Sequence, residues 1–395
     1  MTAHLGDWLN LLLRWAHLIA GIAWIGSSFY FIWLDSKLTA PAPLRERVEG
    51  EVWMVHSGGF YLVERRRLGP GRMPPVLHWF KWEAAITWIT GIALLAIVYY
   101  LSGGVFLVDP AVSSIGVGQA IALAVALLVV SWFGYDALWN SRVAEREGAA
   151  TGLSLALLAG VVFGLCRALS GRAAFIHVGA MLGTLMVANV WLRILPAQQR
   201  MIDATAAGRE ADYTEGERAK RRSVHNTYMT YPVLFIMLSN HFPATYGHRL
   251  NWLILALLIV AGAAVRHAMV AGASPRSGRW ALVSALASLA VVVGLTVPRR
   301  PAAATGAGAV FFAEAREIIN RRCLSCHSAY PTDGAFTTAP LGVTFDTPEQ
   351  IANRAERIRA RAVETRTMPL ANQTGMTDRE RDALARWIAL GAPLR

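Results

Sequence analysis

The sequence predicts an all-α protein: a polytopic membrane bundle of about eight transmembrane helices, followed by a small separate helical domain. Three observations predict it. Hydrophobic residues make up 54% of the 395, and mean hydropathy is +0.38, far from a soluble average. These residues fall into runs long enough to cross a bilayer as helices. The last stretch, 308–395, has no such run and instead shows short amphipathic helical segments around Cys323-Leu324-Ser325-Cys326-His327. The chain therefore divides into a membrane domain over 1–300 and a second domain over 308–395.

The apolar runs lie at 7–34, 78–101, 116–139, 151–169, 173–195, 226–242, 251–270 and 280–297. The first is too long and too aromatic for a cleaved leader, and no small-residue cleavage site follows it, so it reads as a retained span. The sixth is interrupted by Pro232 and by polar residues. Such interruptions are tolerated where a helix meets protein or a cavity and not lipid. The +12 net charge is chiefly an orientation signal. Lys37, Arg45, Arg47, Arg65, Arg66, Arg67 and Arg72 follow span one; Arg200, Arg209, Arg218, Lys220, Arg221 and Arg222 follow span five. Loop 102–113 has neither Lys nor Arg. The two basic loops are then cytoplasmic. Because the bases sit beside spans and not on one soluble face, a nucleic-acid partner is not expected.

Two thiols three residues apart, with an imidazole directly after, form the attachment site of a covalent c-type haem. Cys323 and Cys326 reach the two vinyl groups of one porphyrin, and His327 is held beneath the iron as an axial ligand. A four-ligand zinc site needs more ligands nearby. The remaining cysteine, Cys166, lies inside a hydrophobic run. Helical segments frame the motif: 311–322 before it, one starting at Thr347-Pro348 with Ile351, Ala355, Ile358 and Ala362 on one face, and one starting at Thr377-Asp378 with Ala383, Leu384, Trp387 and Ile388 on its apolar side. Met368, stiffened by Pro369, reads as the sixth iron ligand, with Met376 or solvent as the alternative. Together these features resemble a class I cytochrome c domain. Haem c is attached outside the cytoplasm in bacteria, so this domain is expected in the periplasm. An even number of spans places the N-terminus there too.

Ionisable residues in spans are expensive and mark function or interhelical contact. His17 and His177 each descend from the periplasmic side into spans one and five, and at about 1.5 Å per residue they reach comparable depths. They are candidate ligands of a haem b; the alternative is one interhelical hydrogen bond each. A second cluster is denser. His225-Asn226-Thr227-Tyr228 begins span six, and Ser239-Asn240-His241-Phe242-Pro243 leaves it. Amides, hydroxyls, imidazoles and aromatic faces together suit a planar anion rich in oxygen and nitrogen. His225, Asn226, Tyr228 and His241 are therefore the candidate catalytic residues, with helix capping and interfacial anchoring as the alternative. Lys81 and Glu83 read as an interfacial ion pair, Asp136 and Asn140 as boundary residues, and Arg193 as meeting either a substrate anion or lipid phosphates.

Arg14-Trp15-Ala16-His17-Leu18 with Trp24-Ile25-Gly26, Trp79-Phe80-Lys81-Trp82-Glu83, the 225–243 segment and the fused CxxCH domain together resemble the bacterial membrane-bound urate oxidase (urate hydroxylase) family over essentially the whole chain. The resemblance implies oxidation of urate to 5-hydroxyisourate in the bacterial inner membrane. It implies that electrons leave through haem c to soluble or membrane cytochrome c and a terminal oxidase, without hydrogen peroxide. It fixes no catalytic residue. Two other classes stay open: a membrane cytochrome subunit passing electrons from quinol or a partner enzyme to cytochrome c, and a transporter or assembly factor carrying a redox sensor.

Overall fold

The structure, a computed structural model, describes residues 2–270, 275–297, 312–334, 336 and 338–394. Among them, seven helices are long and apolar enough to cross a membrane. These are α1 (Thr2–Lys37), α2 (Trp82–Leu95, continued by a π-helical turn to Tyr100), α3 (Val117–Asn140), α4 (Glu147–Ala168), α5 (Gly171–Asn189), α9 (Asn251–Val270) and α10 (Pro275–Thr296). A π turn joins α5 to α6 (Leu195–Ala206), making one rod that leaves the bundle. α5 is central: 61% of its span is buried, against 11% for α1.

Seven of the eight expected spans thus meet that length and apolarity among the described residues, and the sixth run does not. The sixth run belongs to α7 (Tyr213–Ser239), which starts well before residue 226 and is capped by the Asp212 side chain accepting from Thr214 N–H. Its polar first half lowers its mean apolarity below that of a lipid-facing helix. It can be polar because protein surrounds it: α7 packs against both α5 and α9. Pro232 seats on Gly262 of α9, where an added Cβ would come within 3.0 Å of the proline Cδ. A side chain at 262 would push the two helices apart at the proline.

A correction concerns the all-α expectation. Between α1 and α2 the chain forms an antiparallel hairpin, β1 (Val48–His56) with β2 (Gly59–Arg66). Its two-residue turn, Ser57-Gly58, has φ of 48° and 77°. Positive φ at both central positions matches the twist of the flanking strands, and Gly takes the second at no steric cost. The basic loops meet at this end of the bundle. Arg47 pairs with Glu210 at 3.3 Å, Gly71 N–H donates to Thr205 O at 2.7 Å, and the Arg67 guanidinium lies over Tyr213.

After the short α8 (Pro243–Tyr246), α9 and α10, the described chain resumes as α11 (Phe312–Arg322), α12 (Pro348–Ala352), α13 (Ala355–Ile358) and α14 (Asp378–Ala389). Thr347 and Thr377 cap α12 and α14 in reciprocal boxes with Gln350 and Glu380. Ile351, Ala355, Ile358, Ala362, Ala383, Leu384, Trp387 and Ile388 all lie in one core, closed by Phe312, Ile319 and Met376. This core is separate from that of the bundle. The segment docks on the bundle end opposite the basic loops. There Phe336 meets Phe106 edge-on at 6.5 Å, Arg361 donates to the Tyr246 hydroxyl at 3.4 Å, and the Thr365–Thr367 loop covers Gly247. A Cβ on Gly247 would lie 2.6 Å from Thr367 Cγ2.

Candidate functional site

Near the basic end of the bundle, three helices contribute to one polar layer. His225 of α7 bonds through Nδ1 to the Tyr135 hydroxyl of α3 at 2.7 Å. Asn189 of α5 donates to that same hydroxyl at 3.0 Å and to Asn226 Oδ1 at 2.9 Å, while Asn226 donates to Met186 O at 2.9 Å. Every polar atom of Asn226 is thus committed to holding α7 on α5. One helical turn closer to the bundle end, Arg222 donates to Asp136 at 3.0 Å and to Asn140 at 3.3 Å, and Arg193 also pairs with Asp136. The Arg222 guanidinium lies 4.9 Å from the Tyr135 ring centre, and Trp139 lies 4.1 Å from the His225 ring.

Two buried atoms of this layer lack partners: Asn189 Oδ1, an acceptor, and Arg222 Nη1, a donor. They flank Tyr135. Leaving such groups unmet in a protein interior costs about 1–3 kcal/mol each, so their persistence together marks a place where something else pairs with them. Beside them a cavity of about 560 Å³ is lined by Trp139, Asn140, Arg218, Arg221 and Arg222 among others. Glu145 and Glu147 line it as well, and Glu147 lies 3.8 Å from Arg221, so the three guanidiniums outnumber the carboxylates and the cavity favours an anion by one net charge. The direction of the Tyr135–His225 bond depends on the tautomer: with Nδ1 protonated Nε2 keeps a lone pair, whereas a Tyr135 hydroxyl that donates to Nδ1 leaves the proton on Nε2.

At the opposite end, the CxxCH turn is built so that its three side chains leave one short helical bend. His327 N–H donates to Cys323 O at 2.9 Å and Cys326 N–H to the same oxygen at 3.2 Å. Both thiols are free. His327 Nδ1 donates to Val343 O at 2.9 Å, which fixes the ring and leaves the Nε2 lone pair free. Asp346 clamps the following loop by accepting from Ser328 Oγ at 2.6 Å and Ala329 N–H at 2.9 Å, bonds that hold its carboxyl below the ordinary carboxylate range. Met376 is buried in the core, its backbone tied to the Asn372 side chain. Met368 is only half-buried, in the loop that rests on Gly247. The two free thiols and the oriented imidazole on one turn have the donor chemistry that a covalent c-type haem would need.

A family model described as urate oxidase N-terminal matches residues 3–297. The chain belongs to the urate oxidase N-terminal family. No curated protein and no solved structure matches the chain. The family region contains the whole bundle and the His225 layer, and it ends before the CxxCH turn.

Within that region the sequence-predicted residues separate. Tyr228 turns to α9, where its hydroxyl meets His267 Nδ1 at 2.8 Å. His241 lies exposed past the far end of α7, sixteen positions from His225 and so about 24 Å along the helix. His225, Tyr228 and His241 therefore do not share one site. Nor do His17 and His177 fit a common haem b. His177 is fully buried with Nδ1 donating to Ala173 O at 2.7 Å and Nε2 accepting from the Tyr100 hydroxyl at 3.1 Å, so no lone pair is left for iron. His17 donates to Thr87 O at 2.9 Å. Its contacts on α2, Thr87 and Thr90, stand ten or more residues from Tyr100, about 15 Å away, because α1 and α5 meet α2 at different heights. Lys81 forms no ion pair with Glu83; its ammonium lies over the Trp79 ring at 5.1 Å. Tyr135, Asn189 and Trp139 were not foreseen, although a polar Asn inside span five is a signal that could have raised the first two.

Proposed function

We propose that this chain is a multi-pass inner-membrane enzyme that oxidises urate to 5-hydroxyisourate and delivers the electrons to a haem c held by Cys323 and Cys326. The reading rests on one observation above others. A bundle of the urate oxidase N-terminal family contains an arginine-lined cavity beside a His–Tyr–Asn layer with one unmet donor and one unmet acceptor. A lactam edge of urate offers the complementary N–H and C=O. The basic loops face the cytoplasm and the CxxCH domain the periplasm.

The reaction removes two electrons and two protons from urate plus water. Arg218, Arg221 and Arg222 attract the urate anion, Asn189 and Arg222 align it, and the His225 imidazole takes a proton as water adds to the oxidised ring. Tyr135 and Asn189 orient the imidazole. Cys323, Cys326, His327 and Met368 would hold a haem c, which when bound would supply a one-electron acceptor, with soluble or membrane cytochrome c and a terminal oxidase as the partners beyond it. Without oxygen, the purified protein is expected to convert urate at the expense of added ferricytochrome c, two per urate. Conversion only in oxygen, with peroxide released, contradicts the reading.

Met368→Ala tests the iron ligation. The near-infrared methionine–iron band is expected to vanish and the potential to fall, as follows from losing a thioether ligand, whereas Met376→Ala leaves the band and lowers stability. A band that survives Met368→Ala assigns the ligand elsewhere.

A further inference from the structure

Arg266 is a full positive charge inside the bundle with no counter-charge. It lies on α9 and is 3% exposed, yet its Nε and Nη2 have no hydrogen-bond partner. The titratable groups near enough to act on its charge are the phenols of Tyr231 and Tyr228. No carboxylate pairs with it among the described residues. Arg222 is the contrast: it is equally buried, but Asp136 sits 3.0 Å away. A buried charge without a partner destabilises a fold strongly, and a cation at such a place in a spanning helix is retained where it meets a ligand.

The free atoms say what kind of ligand. Nε and Nη2 form one edge of the guanidinium, the edge that donates two parallel hydrogen bonds to one coplanar acceptor pair. The guanidinium stacks 4.7 Å over Phe29 of α1, and Phe29 stacks on Tyr231 at 5.9 Å. Next to them stands the Tyr228–His267 hydrogen bond, whose far nitrogen contacts Ser277 Oγ at 3.3 Å. Aromatic faces beside a fork favour a flat, charge-delocalised anion over a tetrahedral, strongly hydrated one. Because protein covers the guanidinium, a lipid headgroup at the bundle surface does not reach it.

We propose that Arg266, with Phe29, Tyr231 and the Tyr228–His267 pair, forms a second site for one small planar anion presenting two adjacent coplanar acceptors. His225 faces α3 whereas Tyr228 faces α9, so α7 separates this site from the proposed oxidation site. Two sources share the required chemistry: a heterocyclic anion such as urate, and a carboxylate.

The test is the thermal midpoint of the detergent-solubilised full chain, with urate or benzoate as probe. Dithionite is present throughout, so that no turnover occurs and binding is read apart from oxidation. The wild-type midpoint is expected to rise with at least one probe in a concentration-dependent way. A rise with urate alone assigns the site to the substrate class, and a rise with benzoate assigns it to carboxylates. Arg266→Met is expected to have a higher midpoint than wild type without any anion and a smaller response to the effective probe. Arg266→Lys, which keeps the charge and loses the fork, is expected to need at least about tenfold more probe for the same rise. No response to either probe in wild type, or an undiminished response in both variants, overturns the site.

Discussion

Reduction of the haem by urate is expected to slow by about 10²–10⁴ in His225→Ala, the range over which loss of a general base is usually felt. The size follows from position. His225 is the imidazole beside the arginine-lined cavity, and Tyr135 and Asn189 are spent on orienting it. Reduction by dithionite should be unchanged, because the CxxCH turn lies at the other end of the molecule. Tyr135→Phe separates orientation from chemistry: the base remains, its ring is no longer held by the phenol, and a smaller loss with an altered pH profile is expected. Stopped-flow reduction of both variants decides the matter. A wild-type rate in His225→Ala removes this residue from the reaction.

Cys323→Ala and Cys326→Ala are expected to have the second large effect, loss of the haem that survives denaturation and stains on a gel. The two thiols lie on one turn whose backbone bonds converge on Cys323 O, and His327 is already fixed by Val343. Removing one thiol leaves at most a single link; removing both leaves only axial ligation, which denaturation breaks. Full covalent staining in both single variants contradicts the attachment.

The helices of 312–394 were legible because their caps and faces are local. Thr347-Pro348 and Thr377-Asp378 state where α12 and α14 begin, and each predicted apolar face is buried. The spans were legible for the same reason, since hydropathy is a sum over neighbours. The hairpin was masked by its arginines, which drew attention to charge and away from the alternating Val48–His56 strand and its Ser57-Gly58 turn. The site was only half legible. His225 and Asn226 stood out as polar residues in an apolar context, but Tyr135 and Asn189 come from helices 90 and 36 positions away from His225, and only packing brings them together. Tyr228 is close in sequence yet belongs to another layer, because three residues along a helix turn a side chain toward a different neighbour. Arg266 and His267 were hidden inside an apolar run that scored as a plain span.

The central claim is that the bundle oxidises urate and the covalent haem receives the electrons. One anaerobic spectrum tests it most directly. Urate added without oxygen to the oxidised, purified protein should bring up the reduced α-band of haem c, to the same height that dithionite gives. A haem that stays oxidised with urate, while dithionite or a quinol reduces it, contradicts the account and leaves the chain an electron carrier for another donor.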